Sequence, residues 1–223
     1  MADAGCAVLQ MDLYGCGDSD GEFGAARWDI WLQDLALAHA WLAERSGCAV
    51  GLWGVRLGAL LALDYVRSHE SAAALPVARL VLWQPVLRGA TYLNQLLRVR
   101  LAADMLAGAE GGDSRRLRDA LRTDTQEIGG YALAPQLADA IEALDAAGLG
   151  VPAAPVHWFE VTAAADRPPA PPAVQLAAAW RAAGAAVHLQ AVHDQPCWAT
   201  PEIAECAPLR AATTAALAEA VHD

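Results

Sequence analysis

Arg56 holds the most chemically consequential position in the chain. A short apolar run, Val50 to Trp53, leads into a tight Gly-x-x-x-Gly turn bracketed by Gly54 and Gly58, and an apolar helix pattern follows. A strained strand-to-helix turn of this kind holds its central side chain at the top of a sheet, where a nucleophile can meet a substrate. Ser, Cys or Asp at the centre could attack a carbonyl carbon. A guanidinium stays charged and cannot. A cation near a helix N-terminus instead suits a carboxylate, a phosphate or a uronate. The structural alternative is a plug paired with a carboxylate, because a buried Arg is seldom left unpaired.

The elements that position Arg56 can be read along the chain. Residues 6–12 are predicted as a strand, ending in a Gly-, Asp- and Ser-dense loop up to Gly21. Trp28, Trp31, Leu32, Leu35, His39 and Leu42 recur at helical spacing, predicting an amphipathic helix that closes near Ser46 and Gly47. The strand before Arg56 and its apolar helix run to about His69. Residues 79–85 read as a buried strand stopped by Pro85. From about Leu87 to Gly150 the pattern is helical and more polar, broken at Gly111-Gly112 and Gly129-Gly130, with a helix from Pro135 to Gly148. Strands at 156–161 and 187–192, a helix over 173–183 and a last helix over about 202–221 complete the chain. Alternating strands and helices predict an α/β fold, a parallel sheet with helices on both faces.

Bulk composition narrows the function classes. At 223 residues, 56% hydrophobic and 18% charged, the chain suits one well-buried domain. A formal net charge of -11 argues against a nucleic-acid partner. The Arg-rich stretch Arg115 to Arg122, interleaved with acidic residues, reads as a solvated helix face. The five cysteines are scattered, with no Cys-x-x-Cys, which argues against a zinc site or a disulfide framework. No metal-ligand spacing or phosphate loop stands out, so neither metal nor cofactor is expected. The longest apolar stretch, around Cys48 to Leu63, is too short and too broken to span a bilayer. With no signal peptide evident, a cytoplasmic location is the expectation.

The order of elements resembles the second half of an α/β-hydrolase. Asp12, Gly15, Gly17, Ser19 and Gly21 resemble the loop after that fold's fourth strand. With the Arg56 turn, the Leu-Trp-Gln-Pro segment at 82–85, the stretch 128–135 and the stretch 198–203, they are most similar to the second of the two exosortase-A-system-associated hydrolases. Those bacterial proteins are encoded beside exopolysaccharide and PEP-CTERM sorting genes. The resemblance implies a single α/β-hydrolase-like domain over 1–223 with a helical cap inserted at about 87–150. It also implies three strands before residue 6, the third lying inside the sheet. Their absence would leave unpaired backbone, so a truncated gene model or fragment is the expectation.

The resemblance further orders the candidate site residues. Asp166 lies just beyond the strand 156–161, where the fold places its triad acid. Without a serine to serve, its expected role is counter-ion to Arg56, with Glu160 as competitor and a plain surface-loop residue as the alternative. His193 follows the last strand and is the one candidate for the triad histidine. It comes earlier than the fold's pattern sets that residue, and a loop histidine bonded to backbone is the favoured reading. Cys197 with His193 would make a thiolate–imidazole pair only if the two faced each other, and they share one tight loop. Trp198 is the tryptophan expected to line a pocket. Ser19 is expected to serve its turn, and His39 and His157 to sit in the core or at its boundary. Two functions remain open. One is a catalytically degenerate protein that binds a small-molecule, acyl or saccharide ligand, or a protein partner, through Arg56 and Trp198. The other is a hydrolase of an ester, thioester or acylated saccharide, in which Arg56 holds the substrate and Asp166 or His193 activates water.

Overall fold

The computed structural model describes residues 5–69, 75–108, 113–198 and 204–219. In chain order the elements are α1 (Trp28–Ser46), β1 (Leu52–Val55), α2 (Leu57–His69), β2 (Leu80–Trp83), α3 (Gly89–Leu106), α4 (Ser114–Leu121), β3 (Gln126–Ile128), β4 (Tyr131–Leu133), α5 (Pro135–Glu142), β5 (Val156–Thr162), α6 (Pro171–Ala182), β6 (Val187–His193) and α7 (Ala207–Glu219). The chain divides into two units. One comprises Met1–Leu9, Ala40–Leu87 and Leu149–Asp223; the other comprises Gln10–His39 and Arg88–Gly148.

The first unit is built on a four-stranded sheet, ordered β1-β2-β5-β6, in which every pairing is parallel. Parallel strands must be covered on both faces, and β2 is accordingly Leu-Val-Leu-Trp, buried at all four positions. On one face Trp158 meets Trp180 of α6 at 5.8 Å, and Gly54 lies against the start of α2. On the other face Val81, Trp83, Phe159 and Val192 form a core with Cys206 and Leu209 of the α7 segment. The Trp83 indole N–H donates to the buried Thr213 hydroxyl at 2.9 Å, which locks α7 to β2.

Residues 6–12 correct the predicted strand: they carry no ladder, and Val8 is 54% exposed. An apolar, β-prone segment becomes a strand only where a neighbour supplies donors and acceptors. Among the described residues, β1 is paired on its β2 side alone.

In the second unit α3 packs on α5 so closely that a Cβ on Gly89 would meet the Ile141 carbonyl. Asp113 caps α4 by accepting the Arg115 N–H at 2.9 Å, and Arg118 ties α4 to Glu142 and Asn94. Arg115 and Arg116 are exposed, whereas Arg118 is only partly so, which modifies the solvated-face expectation for that stretch. The predicted helical pattern also contains a β-hairpin. Gly129 and Gly130, with φ of 60° and 85°, join β3 to β4 in register Ile128 to Tyr131. Two consecutive residues with positive φ match the twist of a two-residue hairpin, so this Gly-Gly pair makes a turn and not merely a break. α5 begins at Pro135 as predicted but ends at Glu142, short of Gly148. The last helix begins at Ala207, later than predicted, and positions 202, 203, 220 and 221 of that prediction lie outside the described residues.

Gly54 decides how β1 meets α2. A Cβ there would sit 2.5 Å from the N and Cα of Ala59 and the carbonyl of Gly58. All three are backbone atoms, so relief requires moving the turn itself. Gly54→Ala is therefore expected to lower the unfolding free energy by about 3 kcal/mol, as overpacking against backbone does. Urea denaturation checks this; a loss well below about 1 kcal/mol would mean that the turn has room to open.

Candidate functional site

Two non-glycine residues among those described adopt positive φ, and they are neighbours in space. Arg56, one residue past β1, has φ of 53°, and Gln84, one residue past β2, has φ of 42°. Such backbone costs on the order of 1–3 kcal/mol per residue and persists only where the surroundings over-determine it. Here the surroundings do. The Arg56 N–H donates to Trp83 O at 3.0 Å, its carbonyl accepts the Val86 N–H at 3.1 Å, and the Gln84 N–H donates to Phe159 O at 2.8 Å. The Arg56 guanidinium closes the arrangement by donating from Nη1 to the Gln84 carbonyl at 3.2 Å.

The Gln84 side chain takes over where its backbone leaves the sheet. Pro85 follows, so β2 cannot continue, and the Val161 N–H on β5 needs another acceptor. Gln84 Oε1 accepts it at 2.7 Å, which sets the amide so that Nε2 donates to Glu160 Oε2 at 3.1 Å. Glu160 Oε1 accepts the Trp158 indole N–H at 2.8 Å; these two residues lie two apart on β5 and so share a face.

Glu160 is 4% exposed. Burial is the strongest influence on its carboxyl and pushes its pKa up. Hydrogen bonds from Trp158, Gln84 and the Ala170 backbone, and the Arg56 charge, pull the other way without reversing the shift. The result is a permanent cation and a carboxyl whose pKa is raised, at the C-terminal ends of β1 and β5 on either side of β2. This pair can bind an anion or donate a hydrogen bond. It contains no hydroxyl or thiol.

The other predicted positions are distributed as follows. Asp166 is exposed in the turn after β5. Glu160 is the carboxyl on which the Arg56 charge acts, pulling its pKa down against burial. His193 is the last residue of β6 and not the first of the loop, and its Nδ1 lies 3.1 Å from the Thr162 carbonyl. Trp198 packs against the Val81, Trp83 and Phe159 core, and Cys197 donates its N–H to Cys206. The Ser19 hydroxyl donates to the Asp12 carbonyl at 2.7 Å, within its turn. His39 is 2% exposed, and His157 stacks on His188 at 5.2 Å. No group of three or more His, Cys, Asp or Glu among the described residues is placed to hold a metal, and no described helix is long and apolar enough to cross a membrane. Gln84 and Trp158 were not singled out by sequence. Their signal was a lone amide between an apolar strand and a proline, and an indole two residues before a buried acid.

A parallel sheet covered on both faces, with a left-handed strand-to-helix turn at the C-terminal end of β1, defines an α/β-hydrolase fold. Residues 1–143 match the family described as serine aminopeptidase, S33, and the chain belongs to that family. Among solved structures, DcsB, determined with its substrate analogue, is 14% identical over 92% of this chain and 76% of its own, with a TM-score of 0.53. The Paleococcus ferrophilus monoacylglycerol lipase is 16% identical over 86% and 76%, at 0.49. A chain of the metagenome-derived lipolytic enzymes LipS and LipT is 19% identical over 82% and 70%, at 0.48. No curated protein sequence matches the chain.

Glu160 makes a pH signature. Because its pKa is raised in the folded state, its contribution to stability is fully present below the ordinary Glu range and is lost as pH rises through the folded value. The stability of the wild type relative to Glu160→Gln should therefore be greatest in acid and decline toward neutral pH. Urea midpoints from pH 4 to 8 test this, and a pH-independent difference would show that burial does not govern the carboxyl.

Proposed function

We propose that this S33-family chain uses its Arg56 turn to bind an anionic ligand, a carboxylate, phosphate or uronate, and does not perform nucleophilic hydrolysis there. The observation that carries the proposal is the Arg56–Gln84–Glu160 cluster. The position where the fold exposes a nucleophile bears a guanidinium tethered to the Gln84 carbonyl beside a buried acid. His193 supports the same reading, since its Nδ1 is held by the Thr162 backbone carbonyl and not by a carboxylate. The resemblance of 12–21, 82–85 and 128–135 to exosortase-A-system-associated hydrolases directs the ligand toward an acyl or saccharide acid. In the same reading Trp198 is a further candidate ligand contact.

The family match favours a second reading, hydrolysis of an ester, thioester or acylated saccharide without a serine. Arg56 would hold the substrate acid, and Asp166 or His193 would activate water. Both side chains are exposed, so water has access to each.

Calorimetric titration with glucuronate, acetyl phosphate and short-chain carboxylates tests the first reading. Loss of a charge-assisted contact weakens binding by about 10- to 100-fold, and Arg56→Ala should do so with the fold intact. Affinity unchanged in Arg56→Ala would overturn it. Turnover of a panel of acyl esters and thioesters that falls in Arg56→Ala and in Asp166→Asn would establish the second reading instead. On the first reading Arg56→Ser remains unlabelled by a fluorophosphonate, and labelling would show that a base reaches the new hydroxyl.

A further inference from the structure

We propose that Cys197 and Cys206 form a reversible disulfide site, closed by a peroxide, that pins the segment after β6 to the start of α7. The inference is independent of the reading of Arg56. Cys197 lies in the turn four residues beyond His193, and Cys206 immediately precedes Ala207, the first residue of α7. The Cys197 N–H donates to Cys206 Sγ at 3.2 Å, which brings the Cys206 sulfur to the backbone from which the Cys197 side chain springs. Both thiols are free. No other cysteine pair among the described residues shares a hydrogen bond.

The two thiols have unequal chemistry. Cys206 is 3% exposed and packed among Val81, Trp83, Phe159, Val192 and Leu209. Its thiol donates to the Gln195 carbonyl at 3.2 Å. Burial, assisted by the Cys197 side chain and the Asp194 carboxylate, pushes its pKa up to about 11. Asp194 Oδ1 accepts the Gln195 N–H at 2.7 Å, while its Oδ2 is buried without a hydrogen-bond partner. Cys206 therefore rests as the thiol. Cys197 is half-buried and is the sulfur that an oxidant meets first.

The reaction balances with hydrogen peroxide. The Cys197 thiolate attacks one peroxide oxygen, an S–O bond forms as the O–O bond breaks, and the departing hydroxide leaves as water. The Cys206 sulfur then attacks the Cys197 sulfenic sulfur. The S–S bond forms, the S–O bond breaks, and the Cys206 proton departs with the hydroxide as a second water. Two thiols lose two electrons and the peroxide gains them. Closure joins positions nine apart and restrains the chain that leads away from His193.

Native protein is treated with a small excess of hydrogen peroxide, its free thiols are alkylated, and the peptides are mapped. The expected result is loss of two of the five thiols, a crosslink between the Cys197 and Cys206 peptides, and full recovery with dithiothreitol. In Cys197→Ser the crosslink is lost and Cys206 stays reduced. In guanidinium the selectivity disappears, because it resides in the fold. Cys197 recovered as sulfinic acid with Cys206 still free would overturn the proposal, as would native crosslinks spread over all the cysteines. The decisive measurement is on the wild type, so a variant that fails to fold leaves the proposal open to refutation.

Discussion

The C-terminal ends of β1, β2 and β5 are joined through two residues in left-handed backbone. Arg56 bonds through its N–H to Trp83 and through its carbonyl to Val86, and Gln84 bonds through its N–H to Phe159 and through its amide to Val161 and Glu160. A parallel ladder normally ends by leaving its last groups to solvent or to a helix. Here the ladder turns over into a side-chain network, and the site is that network. The strain at Arg56 and Gln84 is affordable because each is held by several bonds on different strands.

That arrangement also explains why a buried acid is tolerated. A carboxylate away from water is costly unless donors and charge surround it. Glu160 has the Trp158 indole, the Gln84 amide, the Ala170 N–H and the Arg56 charge around it, and burial still outweighs them. Removing any one donor leaves the acid less compensated. The strand ends and the acid are thus mutually dependent, since Gln84 both completes the ladder and serves the carboxylate.

A fold that presents a nucleophile elsewhere here presents a cation in the same backbone geometry. Fold does not carry the chemistry, which lies in the side chain at the turn and in its neighbours. The segment after β6 makes the same point: Cys197, Cys206 and Asp194 meet beside the start of α7 without touching the Arg56 network in any described bond.

The elements surrounding the site were legible from local chemistry. Gly54 and Gly58 mark the turn, Pro85 ends β2, Pro135 opens α5, and the apolar runs at 80–83 and 156–162 mark buried strands. Arg56 was visible because one residue type at the centre of that turn excludes attack whatever surrounds it. Residues 6–12 have the composition of a strand without forming one, because a strand is a relation between segments and its partner is not a property of its own sequence. The hairpin at Gly129-Gly130 needed the observation that both residues take positive φ, since the same dipeptide also serves as a plain break. The contacts of Glu160 with Gln84 and Trp158 were decided by tertiary structure. Positions 84 and 160 are 76 residues apart, and only the parallel register of β2 on β5 brings an amide, an indole and a carboxyl into one network. Sequence specifies which groups are present; three-dimensional packing determines which of them meet, and how far burial shifts their protons.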